Sequence, residues 1–281
     1  MDRCRPLVLL DPDSKPEERA NIFAALGRLP NAPERVDVLG AYPGGEEGAD
    51  VRNLLSIDHP RGTEVCVHAP AIGLDQALAS IVKDEGSPLI VLGMHQRTGL
   101  QTLRRSSCKS VLNSQAKTDF LMVNVATANR SSESYKNVLI AVDGTSAAVH
   151  VIDQVRQYGL NKSAKSILTI VPTTSAIQGV SPYRVFSRSP KMEIQREIDG
   201  ATRKALSQLV KHDYKHVEIS VAHGHTGATI ASKAREIDAD LIVMGSSPRS
   251  SLNKWMLGST VDFVLNHAPC DCLVIGRTTS P

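Results

Sequence analysis

Short, continuous apolar runs alternate along the chain with longer stretches of helical periodicity. A run such as 241–244 has no polar face, which is typical of a strand covered on both sides in a parallel sheet. The runs predict five strands in the first half of the chain, near 6–10, 35–41, 63–68, 88–92 and 119–124. They predict five more in the second half, near 137–142, 166–171, 216–222, 240–244 and 272–276.

Helices are predicted between these strands from apolar stripes at three- and four-residue spacing. Their predicted positions are 74–84, 146–158, 190–212, 226–237 and 258–267. Ser14 to Glu17 has the pattern of a capping box and predicts a further helix with a proline in its first turn. Ser146 is the predicted N-cap of the helix in which Ala148, Ile152 and Val155 form the stripe, and Gly159 is its predicted stop.

The two halves of the chain are similar to each other. Residues 88–123 align with 240–275 without a gap, at an offset of 152 residues. Self-similarity on this scale indicates a duplicated structural unit. The identical pairs include Gly93/Gly245, Ser107/Ser259, Asp119/Asp271 and Leu121/Leu273.

The alternation of strands and helices predicts an α/β fold made of two tandem Rossmann-like domains. Each domain is expected to hold an open, mostly parallel five-stranded sheet with helices on both faces. The predicted boundaries are 1–126 and 135–281, because the segment between them is polar and rich in small residues.

Composition narrows the class of protein. The 281 residues carry a formal net charge of +3. Basic and acidic residues are too evenly balanced to indicate nucleic acid or an anionic membrane as the main partner. No apolar stretch approaches the ~20 residues that span a bilayer. The 5 cysteines are scattered and odd in number, as expected of reduced thiols. We therefore expect a cytoplasmic protein.

A candidate phosphate-binding loop follows the fourth strand of the second half. Gly245 ends this strand, and Gly258, Ser259 and Thr260 open the next helix. Amides at a helix N-terminus favour an anion, glycine permits its close approach, and hydroxyl groups can donate to it. Asp143, which ends the first strand of this half, should lie on the same sheet edge. The same residues would also suit an ordinary turn and helix cap.

The spacing of these residues resembles a known family signature. Gly245 to Pro248, nine further residues, and then Gly258-Ser259 are similar to the Gly-x-x-Gly, nine-residue, Gly-Ser/Thr loop of the universal stress protein family. The segments 239–245 and 267–275 resemble the fourth and fifth strands of that family, and 138–143 resembles its first strand. The resemblance extends to each half, as in a tandem universal stress protein.

The resemblance implies adenine-nucleotide binding in the second half. Gly245, Gly258 and Ser259, with Thr260 beside them, would hold the phosphates of ATP, and Asp143 would hold the nucleoside. The backbone of Val171 or Ile170 would add a contact. No metal is expected beyond Mg²⁺ bound to the nucleotide, and the halves are expected to pack through their fifth strands.

Both halves depart from the signature. Pro248 stands where the family has a second glycine, and proline has no N–H to donate. The first half has Gly93-Met-His-Gln96 and later Ser106-Ser107, which resembles the branch of the family that does not bind ATP. Asp11, at the end of the first strand, is interpreted there as a turn residue.

Other distinctive residues have simpler interpretations. His223, His225 and His267 lack the converging partners of a zinc site. Cys270 and Cys272 alternate within a predicted buried strand, which favours core packing over redox chemistry. Trp255 and Met256 could cover a ligand, although a helix clamp is the simpler interpretation. The segment 181–191 could be a lid or partner surface, or a solvated loop.

Three functions follow from these observations. The first is a non-catalytic stress-response module in which nucleotide binding biases contact with an unknown protein partner. The second is a nucleotide-free scaffold, which Pro248, Gln96 and Ser106 favour. The third is a slow ATPase, against which the absence of a recognisable base or metal-ligand motif argues. No catalytic residue is assigned, and a homodimer of tandem chains is possible on this reading.

Overall fold

A computed structural model gives the fold of the chain. It describes residues 6–10, 15–30, 33–40, 63–68, 77–78, 80–82, 89–94, 118–126, 134–142, 146–160, 165–170, 217–221, 225–246 and 258–276. The predicted helix at 190–212 lies outside these ranges. No helix among the described residues has the length and apolar character needed to cross a membrane.

In the described part of the chain, ten strands form one continuous sheet. The strands of the first half are β1 (Leu7–Leu10), β2 (Arg35–Gly40), β3 (Glu64–His68), β4 (Ile90–Met94) and β5 (Phe120–Asn124). Those of the second half are β6 (Asn137–Val142), β7 (Lys165–Ile170), β8 (Glu218–Val221), β9 (Leu241–Gly245) and β10 (Asp271–Ile275). All ten predicted strands are confirmed, with bounds that differ by at most two residues.

The helices with assigned bounds are α1 (Pro16–Gly27), α2 (Ser146–Gln157), α3 (Thr226–Glu236) and α4 (Ser259–His267). Residues 77, 78 and 80–82 are also helical, within the helix predicted at 74–84. Ala148, Ile152 and Val155 are buried, as their stripe predicted. Gly159 ends α2 with a φ of 76°, which glycine adopts more readily than other residues.

Two predicted helix caps are wrong by one residue. The N-cap of α1 is Lys15, whose backbone N–H donates to Glu18 at 3.1 Å, so Ser14 and Glu17 do not form the capping box. Pro16 explains the shift, because it occupies the first helical position and holds the preceding residue in an extended conformation. Ser146 is already the first residue of α2 rather than its N-cap.

The strand order is β3-β2-β1-β4-β5-β10-β9-β6-β7-β8, so the same five-strand order occurs twice about a central boundary. Neighbours within each half are parallel, whereas β5 and β10 pair antiparallel with Leu121 opposite Leu273. The predicted contact through the fifth strands is therefore confirmed. Leu121 and Leu273 are identical in the repeat, which places a local pseudo-twofold axis between them.

Each face of the sheet carries a core that continues across this boundary. On one face, α1 and α2 pack against side chains that include Val8, Val91, Leu121, Ile140 and Leu273. On the other face, α3, α4 and the helical residues Ala77 and Leu78 pack against a second set that includes Phe120 and Val274. The central strands are thus buried on both faces, which explains their continuous apolar runs.

Candidate functional site

The candidate site lies at the carboxyl edge of the second half of the sheet. Gly245 is the last residue of β9 and pairs with Ile275, the last residue of the parallel strand β10. The first strand of this half, β6, is the other neighbour of β9 and ends at Val142. Ligands of open parallel sheets bind beyond such strand ends. The site predicted from the sequence therefore has its strand end in the expected place.

The helix α4 begins at this edge, because it connects the parallel strands β9 and β10 and must run back between them. Gly258 is its N-cap, with φ −56° and ψ 147°, and contributes no side-chain cap. The backbone N–H of Asp262 donates to the Gly258 carbonyl at 3.0 Å. The three preceding amides have no acceptor within the helix, as at any helix start. Ser259 is exposed and Thr260 is half-buried beside them.

The remaining predicted ligand contacts lie outside the described residues. These are Asp143 and Val171, which were predicted to hold the nucleoside. Residues with other interpretations also lie outside the described ranges, namely Pro248 within the loop, Asp11, Gln96, Ser106 and Ser107 of the first half, His223, Trp255, Met256 and the segment 181–191. Ile170 is the last residue of β7.

Gly245 has a packing role that the sequence did not reveal. A Cβ atom at Gly245 would lie 3.1 Å from Cγ2 of Val151 on α2. The equivalent Gly93 would place a Cβ atom 3.1 Å from both Ile22 Cδ1 on α1 and Val125 Cγ1. Neither glycine has a positive φ, since Gly159 is the one described glycine that does. Close approach of the helix therefore explains glycine at this position in both halves.

Side-chain contacts with α3 hold α4 in place. Within α4, the ring of Phe263 stacks on that of His267 with centroids 4.0 Å apart. The Phe263 ring also lies 5.1 Å from that of His225, the N-cap of α3. Arg235 Nη2 donates to the His267 carbonyl at 2.6 Å, which satisfies one of the last carbonyls of α4.

In the part of the chain that the structure describes, no three His, Cys, Asp or Glu residues converge as a metal site would require.

A buried carboxylate joins the two halves at one end of the β5–β10 pair. Asp271 Oδ1 accepts from the Asn124 backbone N–H at 2.9 Å, and its Oδ2 accepts from Arg28 Nη1 at 3.1 Å and from the Tyr135 hydroxyl at 2.9 Å. Burial and the neighbouring Asp271 raise the pKa of the Tyr135 phenol well above 10, so the hydroxyl is a donor at neutral pH. We call Asp271, Asn124, Arg28 and Tyr135 the charged clasp.

A second carboxylate occupies the symmetry-related place at the other end. Asp119 Oδ1 accepts from the Gly276 backbone N–H at 2.8 Å, and its Oδ2 accepts from the Tyr158 hydroxyl at 2.7 Å. Burial raises the pKa of Asp119, against the lowering effects of these two hydrogen bonds and of His150. We call Asp119, Gly276 and Tyr158 the tyrosine clasp. The sequence marked the pair Asp119/Asp271 as identical but did not identify their partners.

Two cysteines, one just before β10 and one within it, belong to the core. Cys270 and Cys272 are both fully buried on the face of the sheet covered by α3 and α4. Burial, with Cys270 and Asp271 nearby, raises the pKa of the Cys272 thiol well above its usual range, which disfavours the reactive thiolate. The prediction of core packing is confirmed.

Comparison with known proteins relates the chain to one family. The model of the universal stress protein family matches residues 134–276. A Staphylococcus aureus (strain USA300) protein that carries a universal stress protein name is 33% identical over 153 residues, which cover 53% of this chain and 88% of that protein.

Two solved structures match the fold over almost the whole chain. A universal stress protein from Archaeoglobus fulgidus DSM 4304 has a TM-score of 0.61 at 18% identity, covering 97% of each chain. A functionally unknown protein from Pseudomonas aeruginosa PAO1 has a TM-score of 0.62 at 16% identity, covering 98% of this chain and 93% of its own. The ten-stranded arrangement is therefore a fold that solved proteins adopt.

Proposed function

This chain belongs to the universal stress protein family, and we propose that it is a non-catalytic stress-response module that binds ATP or another adenine nucleotide in its second half. Residues 135–281 form the binding domain in this proposal, and residues 1–126 form a related domain with a degenerate loop. Nucleotide binding would bias contact with a protein partner by favouring one conformation of the module.

The observation that supports this proposal is the placement of Gly245 and Gly258. Gly245 ends β9, and the N-terminus of α4 begins at Gly258 on the same edge of the sheet. A glycine N-cap has no side chain of its own to accept from the first amides of α4, which favours a phosphate there. Ser259 and Thr260 add hydroxyl donors in the first turn. The residues present therefore fit a phosphate group.

The adenosine part of the ligand is assigned by the family signature. Asp143 would accept a hydrogen bond from the nucleoside, and the backbone of Val171 would add a second contact. These positions follow β6 and β7, which neighbour each other in the sheet next to β9. Their strands thus end on the edge that holds Gly245.

Titration of Mg²⁺–ATP by calorimetry into the wild type, Gly258→Asn and Gly258→Asp tests the proposal. The φ and ψ of Gly258 suit any residue, and both asparagine and aspartate are good N-caps, so both variants should keep α4. Only aspartate places a negative charge beside the phosphates, and we expect it to weaken binding at least about tenfold relative to asparagine. Equal affinities for the two variants, or no heat from the wild type at millimolar ATP, would contradict the proposal.

Gly258 is a better test position than Gly245. A side chain at Gly245 would press on Val151 and disturb α2 whether or not a ligand binds there. Loss of binding in a Gly245 variant could then report only a displaced helix.

A nucleotide-free scaffold is the second candidate, and two residues favour it. Pro248 removes one amide from the loop, and Asp262 places a carboxylate in the first turn of α4, where it competes with a phosphate for the helix dipole. Mass spectrometry of the protein purified under native conditions separates the candidates. A bound adenine nucleotide would support the first function, and protein that neither carries nor takes up nucleotide would support the second.

A further inference from the structure

One peptide group connects the start of the phosphate loop to the other half of the chain. The backbone N–H of Ser246, the residue after Gly245, donates to the Ile275 carbonyl at 2.9 Å. The N–H of the same Ile275–Gly276 peptide donates to Asp119 Oδ1 at 2.8 Å. Because an amide that donates a hydrogen bond becomes a better acceptor, the two bonds strengthen each other.

The helix α2 contacts Gly276 and Gly245 from within the second half. His150 Nε2 lies 3.1 Å from the Gly276 carbonyl oxygen, and the adjacent Val151 packs against Gly245. Tyr158, just beyond the end of α2, donates to Asp119 Oδ2 at 2.7 Å. Asp119, Gly276, Ser246 and α2 thus belong to one connected set of contacts. Asp119 is the residue of this set that the first half supplies.

We propose that Asp119 of the first half is a positioning residue for the phosphate loop of the second half. It fixes the Ile275–Gly276 peptide, which in turn fixes the backbone at Ser246, where the loop leaves the sheet. This inference rests on the proposed nucleotide site. It gives the first half a role in binding although its own loop has lost two of the three signature glycines.

The pseudo-twofold symmetry supplies a matched comparison. Asp271 does for the end of β5 what Asp119 does for the end of β10, since it accepts from Asn124 N–H. Asp271 therefore supports the loop edge of the first half, next to Gly93. Both carboxylates join the halves, but Asp119 alone contacts the residue that follows the end of β10 in the binding half.

Amide hydrogen exchange of the full chain tests the positioning role without a ligand. In Asp119→Ala we expect the Ser246 and Gly276 amides to exchange about tenfold faster, with Asn124 unchanged. In Asp271→Ala we expect the reverse. Asp119→Asn retains an acceptor oxygen and should restore protection. If Asp271→Ala does not fold, Tyr135→Phe, which removes one donor from the same carboxylate, takes its place.

The Ser246 amide decides the result. Faster exchange of Ser246 in Asp119→Ala but not in the control supports the proposal. Unchanged exchange of Ser246 would overturn it, and so would equal acceleration in both variants beyond that expected from their loss of global stability, because Asp119 would then only hold the halves together.

Titration of Mg²⁺–ATP separates this proposal from the proposed function. We expect Asp119→Ala to bind about tenfold more weakly than the wild type, with the control within about twofold. Accelerated exchange of Ser246 with unchanged ATP affinity would overturn the positioning role. A wild type that binds no ATP removes the nucleotide function, and the exchange pattern still shows whether Asp119 fixes this strand end.

Discussion

The charged clasp and the tyrosine clasp hold opposite ends of one strand pair with different chemistry. Each uses a carboxylate at the start of a fifth strand to accept a backbone N–H at the end of the other. The second oxygen has different partners. Asp271 Oδ2 accepts from Arg28, which follows α1, and from Tyr135, whereas Asp119 Oδ2 accepts from Tyr158, which follows α2. The backbone geometry of the two halves has thus stayed alike while the side chains that seal their boundary have diverged.

Gly93 and Gly245 make the complementary point. Gly93 is retained in a half that lacks the other signature glycines, and the structure explains this by the contact with Ile22 and Val125. A glycine at the end of the fourth strand is therefore favoured by close packing and does not by itself indicate a ligand. Gly258, which is the N-cap of α4 at the predicted phosphate site, is the more informative residue for binding.

The largest expected effect is on the charged clasp. Asp271→Ala leaves Arg28 buried without its carboxylate, and breaking a buried ion pair in this way costs about 3–5 kcal/mol. Asp119→Ala removes the hydrogen bonds that Asp119 accepts from the Gly276 amide and the Tyr158 hydroxyl, which costs about 1–3 kcal/mol. Urea unfolding of both variants measures the difference. A larger loss from Asp119→Ala would contradict the greater contribution expected of the charged clasp.

A smaller change is expected when the loop of the second half is restored. Pro248→Gly returns an N–H that can donate to a phosphate, and a hydrogen bond to a charged group contributes about 1.5–3 kcal/mol. We expect ATP affinity to rise about tenfold or more. Calorimetry with Pro248→Ala as control separates the new amide from greater loop flexibility, since alanine also has an N–H. An affinity that rises for glycine alone would point to flexibility or positive φ instead.

The positions of the strands could be predicted from the sequence, but the side-chain contacts at the boundary between the two halves could not. Ten apolar runs predicted each strand that the structure describes, because a sheet buried on both faces imposes that pattern locally. The contacts of Asp271 join residues separated by 243, 147 and 136 positions, and no local pattern encodes them. The identical pair Asp119/Asp271 was the available signal, and it became interpretable only when the fifth strands were seen to pair.

The glycines at the end of the fourth strands should respond alike. Gly245→Ala and Gly93→Ala each add a methyl group against buried side chains, and we expect a loss of about 1 kcal/mol from each, since overpacking outweighs the entropic gain from alanine. Thermal or urea unfolding measures it. In Gly245→Ala, a second change, Val151→Ala, should be less damaging than in the wild type because it relieves the contact. Additive losses would rule out Val151 as the cause.

The smallest expected effect is a dependence on pH of the stability that the tyrosine clasp contributes. Burial raises the pKa of Asp119 above its ordinary value of 3.8. In the pH window between the ordinary and the raised pKa, the folded protein therefore binds more protons than the unfolded chain. The contribution of Asp119 to stability is then fully present at low pH and falls as the pH rises through the raised pKa, by at most about 1.4 kcal/mol per pH unit. The free energy of unfolding of the wild type, minus that of Asp119→Asn, should therefore decrease with pH in this window and level off above it. A difference that instead grows with pH would mean that the hydrogen bonds from Gly276 and Tyr158 outweigh burial, and that the tyrosine clasp favours the ionised carboxylate.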